Sequence, residues 1–275
     1  MHTGSMNMKR ARRAVLAAAL APVLGAGLLS GAAPLRAAEP LDAVRARGTL
    51  RIGLEGTYPP FNFRDHRSGE LAGYDIDVAR LLASRLGLKA EFVTTEWPAI
   101  LAGLGANKYD VVVSQVSITA RRRQSFDFSQ PYTYSAPQLM VRRNEPATYA
   151  SLQDLKGRKL GVGQGSVYEQ QARSVPGIEV RRYPAAPENL QDLAFGRIDA
   201  ALNDSLMVAY LLKNSQLPIR AGARVGAFEP IGIALCKGNP RFLAALDKTL
   251  ERVRADGSLR RISMKWFGVD ASQAP

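Results

Sequence analysis

From Leu50 to Val116 the apolar positions change period more than once. A strand runs from Leu50 to Leu54, and Ile76, Val78, Ala79, Leu81 and Leu82 then recur at helical spacing. Phe92 and Val93 mark another strand, and Val111, Val112 and Val113 form a β-branched run suited to a strand covered on both faces. Strand, helix and strand joined by short loops predict βαβ units over a mostly parallel sheet. A second series starts at Lys159 to Val162, passes through a helical stretch from Tyr168 to Arg173 and includes the strand Ile198 to Leu202. The two series echo one another. LGANKYDVVVSQ and LAFGRIDAALND each place a basic residue two positions before an Asp and a small apolar strand, with polar groups at the strand's exit. The echo either is chance similarity within one α/β fold class or reflects two lobes of like construction, each offering a strand-exit edge to a shared cleft. The tail repeats neither unit: Gly232 to Asn239 reads as a strand and turn, Phe242 to Arg254 as an amphipathic helix ended by Gly257, and Leu259 to Trp266 as a last helix. It is expected to rejoin the first lobe.

At the exit of the valine strand the residues become Ser114, Gln115, Ser117 and Thr119, followed by Arg121, Arg122 and Arg123. Thr119 suits the cap of a short helix starting at Ala120, but three arginines in a first turn oppose the positive end of the helix dipole. A bound carboxylate removes that conflict. The ordinary alternative is a solvated surface helix, and successive helical residues diverge enough that only one of the three can enter a cleft.

Composition narrows the function classes. The chain has 275 residues, 46% of them hydrophobic, enough for a packed core in one large or two ordinary domains. Its formal charge is +13, yet Lys9, Arg10, Arg12 and Arg13 all belong to the extreme N-terminus. The remaining bases are interleaved with acids and form no basic stripe with aromatics, so no nucleic-acid partner is expected. After those four bases, Ala14 to Ala33 is apolar and runs into small residues, as in a secretory leader; cleavage after Ala32, Ala37 or Ala38 and a signal segment of residues 1–38 are expected. The same length also permits an uncleaved anchor. Cys236 is the single cysteine, which excludes an internal disulfide and leaves a buried thiol or an intermolecular link.

The two histidines, His2 and His66, leave little scope for a nucleophilic triad, and no metal-ligand spacing occurs. Gly161, Gly163 and Gly165 place the third glycine too early for a dinucleotide fingerprint, and there is no phosphate loop. No cofactor is expected, and binding is favoured over catalysis, although carboxylates and hydroxyls alone can serve a dehydratase or lyase. Asp204 ends the strand Ile198 to Leu202 and precedes a helix. It is either that helix's cap or a receptor for an ammonium group, the complement of a guanidinium at Arg122. Tyr58 and Trp97, each beside proline, complete a core or sandwich the apolar stem of a small ligand. Glu55 and Gln115 are placed to read a ligand's far end, and Ser166, after Gly163 and Gly165, adds a hydroxyl and backbone N–H groups.

Taken together, GLEGTYPPF (53–61), LAGYDIDVA (71–79), SQVSITARR (114–122), FDFSQPYTYS (126–135), LKGRKLGVGQGS (155–166) and GRIDAALND (196–204) resemble the family 3 solute-binding proteins that serve polar amino-acid ABC transporters. The resemblance runs from about Leu50 to Gly268 and looks most like the branch that binds L-cystine. It implies a type II periplasmic-binding-protein fold: two lobes, each a mostly parallel sheet flanked by helices, joined by two crossing strands near Ser135 and Glu229. Lobe 1 would comprise residues 39–135 and 230–275, and lobe 2 residues 136–229. By motif position, Arg122 would bind the α-carboxylate with Ser117 and Ser166, Asp204 the α-ammonium, and Tyr58 and Trp97 would flank the side chain. Ser114 and Gln115 take strand-exit contact positions, and Glu55 reads the far end. Val167 and Tyr168 depart from the hydroxyl and amide residues frequent after the Gly-rich turn. The implied protein is a periplasmic monomer that delivers an amino acid to an inner-membrane permease. A basic amino acid is the competing ligand, and a periplasmic prephenate or arogenate dehydratase, or a receptor's sensor domain, are the rival functions.

Overall fold

A computed structural model describes residues 40–275; the leader expected over residues 1–38 lies outside them. α1 (Pro40–Arg47) leads into β1 (Thr49–Leu54), which is followed by a small ladder of β2 (Thr57–Tyr58), β3 (Asn62–Arg64) and β4 (Leu71–Ala72). α2 (Tyr74–Arg85) buries Ile76, Val78, Ala79 and Leu82 on one face, the stripe its spacing requires, and the chain then forms β5 (Lys89–Thr94). A single turn from Trp97 opens α3 (Ile100–Gly105), after which β6 (Val111–Val112), α4 (Ala120–Arg123) and β7 (Phe126–Phe128) complete the first passage through this half.

β8 (Thr133–Ser135) carries the chain across to β9 (Pro137–Arg142). The second half contains β10 (Lys159–Gly163), α5 (Val167–Arg173), β11 (Glu179–Tyr183), α6 (Ala186–Ala194), β12 (Ala200–Asp204), α7 (Ser205–Asn214) and β13 (Ile219–Arg224). β14 (Glu229–Ile231) returns to β15 (Ala234–Cys236), and α8 (Pro240–Ala255) and α9 (Ser258–Phe267) pack on the first half.

The two sheets share one plan. Their strand orders are β5-β1-β6-β15-β7 and β11-β10-β12-β9-β13. In each, three strands are parallel, and the fourth runs antiparallel to both its neighbours. The sheets are less uniformly parallel than βαβ units alone predict, for a physical reason: β9 and β15 arrive directly from the crossing strands without a helical crossover. β8 and β14 pair antiparallel, with Ser135 opposite Glu229 and Thr133 opposite Ile231, so two strands connect the lobes side by side.

Apolar packing runs across this division: the cluster around β1 and α8 continues through Met140, Leu190, Met207 and Val208 of the second half. One cluster includes Leu50, Ile52, Val78, Leu246 and Leu250; a second fills the far face of the other sheet with Leu139, Leu155, Leu160 and Leu202; a third groups Ile100, Leu104, Val112 and Phe128. Gly53 is required where Tyr109 lies flat on β1, since a Cβ there would come within 2.5 Å of the ring. Cys236 is a free thiol whose Sγ donates to the Leu104 carbonyl, and burial raises its pKa.

Candidate binding site

The strand exits of β1, β6, β10 and β12 meet around one cavity, which encloses about 570 Å³, part of it open to solvent. Its wall includes Glu55, Tyr58, Trp97, Gln115, Ser117 and Arg122 from the first lobe, and Gly163, Ser166, Tyr168, Asn189 and Asn203 from the second.

Arg122 is singled out by the geometry of its short helix. Thr119 Oγ1 accepts the Arg122 N–H at 3.1 Å, capping α4, and the side chain turns inward while Arg121 and Arg123 stay exposed. Its Nη1 donates to the Ser117 carbonyl at 3.0 Å, and the guanidinium lies 5.5 Å from the centre of the Trp97 ring. Burial pulls its pKa down to about 10, against the attraction of Glu229. Among the described residues no carboxylate forms an ion pair with it, so most of a five-donor fork remains for a ligand.

The floor of the first lobe is held by a buried hydrogen-bonded network around Asp75, which the sequence reading did not single out. Asp75 Oδ2 accepts from Asn62 Nδ2, and Oδ1 accepts from Gln115 Nε2 and the Tyr132 hydroxyl, each at 2.8 Å. Ser114 belongs to this support and not to the wall: it is fully buried, and its Oγ accepts the Glu55 N–H and an Asn62 Nδ2 hydrogen. Gln115 both anchors in the network and reaches the cavity, with a positive φ of 51° and an Oε1 that has no partner. Burial pushes the Asp75 carboxyl up to about 6, although its three donors oppose the shift.

Glu55 is the acid on the wall. Burial raises its carboxyl to about 7, the Thr57 hydroxyl opposes this at 2.9 Å from Oε1, and Glu188 adds a smaller upward push. Across the cavity, the Tyr58 hydroxyl donates to Asn203 Oδ1 at 2.7 Å, so the two lobes are bonded directly in this conformation. Ser166 caps α5: its Oγ accepts the Glu169 N–H and donates to the Gly163 carbonyl. Asp204 does not line the cavity. It is 1% exposed, caps α7 by accepting the Leu206 N–H, and accepts the Ser135 hydroxyl of the crossing strand at 2.5 Å. Burial raises its carboxyl to about 6, and its charge is nevertheless felt at Tyr58 and Tyr168, both on the wall.

Asn203, Tyr168 and Asn189 complete the wall without having been expected there as contacts. Asn203 had a signal, the polar exit of its strand; Asn189 on α6 had none. Among the described residues, no cluster of three His, Cys, Asp or Glu side chains is spaced to hold a metal ion.

Two α/β lobes joined by paired crossing strands, with the Arg122 guanidinium on the wall of the cavity between them, define a solute-binding protein of the two-lobed type. Residues 50–269 match the bacterial extracellular solute-binding proteins, family 3, and the chain belongs to that family. It is 41% identical over 234 residues to the L-cystine-binding protein TcyJ of Escherichia coli strain K12, covering 85% of this chain and 88% of the relative. It is 34% identical over 232 residues to the L-cystine-binding protein TcyA of Bacillus subtilis strain 168, covering 84% and 85%. Among solved structures, an ancestral arginine-binding protein bound to glutamine superposes with a TM-score of 0.77 at 39% identity, over 81% of this chain and 99% of that one. The chain is thus a binding protein and not an enzyme. Among the described residues no helix is long and apolar enough to cross a membrane.

Proposed function

We propose that this protein captures L-cystine in the periplasm and delivers it to an inner-membrane ABC permease. The observation that carries the amino-acid reading is the partly buried Arg122 fork, which faces a cavity whose wall holds a carboxylate, Glu55, but pairs with none. A ligand α-carboxylate supplies the missing partner, with Ser117 and Ser166 beside it. Asp204 is assigned the α-ammonium through its Oδ2, since its bonds with Ser135 and Leu206 both fall on Oδ1, and Tyr58 and Trp97 flank the ligand's stem. In this reading residues 39–135 and 230–275 move as one lobe and 136–229 as the other, hinged on β8 and β14. Hinge closure of this kind is the handling of ligand for which periplasmic binding proteins are the standard example. The Tyr58–Asn203 bond then belongs to the closed state. Cystine is favoured by the relatives TcyJ and TcyA, named for binding it. The protein acts as an exported monomer, its leader removed.

A basic amino acid is the second reading, because Glu55 would also receive a distal cation. Thermal-shift and calorimetric titrations with cystine, arginine, lysine and glutamine separate the two. At a hundredfold excess over Kd, the preferred ligand stabilises by about 2.7 kcal/mol, and a shift of roughly 5–10 °C is expected for cystine. No shift with any of these amino acids refutes the assignment.

The wall acid makes a further prediction. Below about pH 7 the buried Glu55 carboxyl of the free protein keeps its proton, which a ligand ammonium must displace. Affinity for a ligand with a distal ammonium is therefore expected to fall as the pH drops from 8 to 5.5, by at most about tenfold per pH unit, and Glu55→Gln should flatten that slope. In the ligand-free protein the same raised pKa lowers stability as the pH rises from 4.5 towards about 7, because the folded state holds the proton more tightly than the unfolded chain. Calorimetry across this range in buffers of different ionisation enthalpy measures the proton released. A pH-independent affinity would remove Glu55 from the contact set.

A further inference from the structure

One buried polar side chain on the cavity wall lacks a partner and takes no part in the contacts assigned to the other wall residues. Asn189 is 2% exposed, lines the cavity, and its Oδ1 accepts no hydrogen bond. It sits on the buried face of α6 with Ala186, Leu190 and Leu193, a position where the amphipathic pattern calls for an apolar residue. A buried amide that has given up water without gaining a partner is unfavourable, and folded chains keep few of them.

The fold has made room for it. Gly161 of β10 leaves the space that the amide oxygen occupies: a Cβ there would come within 2.2 Å of Asn189 Oδ1 and 2.5 Å of Ile198 Cδ1. With the oxygen turned towards the sheet, the amide nitrogen is on the side away from Gly161. α6 packs against β2, which begins two residues after Glu55, and Ala186 and Leu190 on the same face of the helix share a hollow with Thr57 and Pro59. Asn189 therefore lines the cavity from the helix that packs beside the Glu55 segment.

We infer that Asn189 is a specificity-determining residue: from the second lobe, its Nδ2 donates to an acceptor at the ligand's distal end while Glu55 receives the ammonium there. The inference rests on the amino-acid reading of the site. It selects amino acids whose far end carries a carboxylate beside its ammonium, as the second zwitterion of cystine does. Arginine, whose far end carries donors alone, gains nothing from Asn189.

Calorimetric titration of the wild type, Asn189→Leu and Asn189→Ala with cystine and with arginine tests this. Both variants should raise the Kd for cystine at least ~10-fold and change any affinity for arginine by less than ~3-fold. Ligand-free Asn189→Leu should melt no lower than the wild type, since no hydrogen bond within the protein is lost, whereas a structural role requires a lower melting temperature. Wild-type protein that binds cystine while both variants bind it equally well, or that loses both ligands alike on substitution, overturns this inference and leaves the functional reading standing. Wild-type protein that binds no cystine overturns both.

Discussion

Arg122→Ala should fold normally and lose amino-acid binding by at least ~2 kcal/mol, about thirtyfold in Kd, because the ligand carboxylate loses a charge-assisted pair inside a low-dielectric cleft. The fold tolerates the change because the guanidinium holds little of it together. Its protein contacts are one carbonyl, Ser117, and the face of Trp97, and deleting a partly buried cation also removes the desolvation that pulls its pKa down to about 10. Arg122→Lys keeps the charge but not the planar fork, so its affinity should fall between wild type and alanine. Circular dichroism and titration calorimetry on the same preparations separate folding from binding. A folded alanine variant with undiminished affinity would take the carboxylate away from Arg122.

Asp75→Ala should act in the opposite way, through stability. Three donors converge on this carboxylate, from Asn62, Gln115 and Tyr132, and all are buried. Removing the acceptor strands them, and each unsatisfied buried donor costs roughly 1–3 kcal/mol, so a loss of about 3 kcal/mol or more is expected. For a chain of this size that lowers the melting temperature by roughly 6–12 °C. Asp75→Asn should be milder: its oxygen can keep Gln115 and Tyr132, while its nitrogen meets the Asn62 nitrogen donor to donor. Because Asn62 also accepts the Gly56 N–H and Gln115 reaches the cavity, ligand affinity should weaken as well. A melting temperature within ~1 °C of wild type for the alanine variant would mean that the three donors find other partners, such as water.

Legibility in the sequence followed distance along the chain. The βαβ alternation, the tail helices and the cap of α4 by Thr119 depend on neighbours within a few residues, and they were readable as hydrophobic period and capping chemistry. Three adjacent arginines could not be told apart by local pattern; the inward turn of Arg122 needed Trp97 and the Ser117 carbonyl in place. Asp204 offered two roles in sequence. The folded chain shows it capping α7 and bonded to Ser135, 69 residues away, leaving Asn203 on the wall beside it. Ser114 Oγ is bonded beneath the wall by the Glu55 N–H and Asn62, a pairing that local pattern does not reveal.

What residue order alone established is that this chain is α/β, with a repeated pattern that suits two like halves, a tail outside that repeat, and polar strand exits where a ligand belongs. Folding decided which of those polar groups are used up and which are left over. Asp75, Ser114 and Ser166 are satisfied by partners inside the protein, while the Arg122 fork and the amide oxygens of Gln115 and Asn189 have donors or acceptors unmatched. Hydrogen-bond satisfaction is a property of three-dimensional neighbours, many of them distant in sequence, so no one-dimensional pattern contains it.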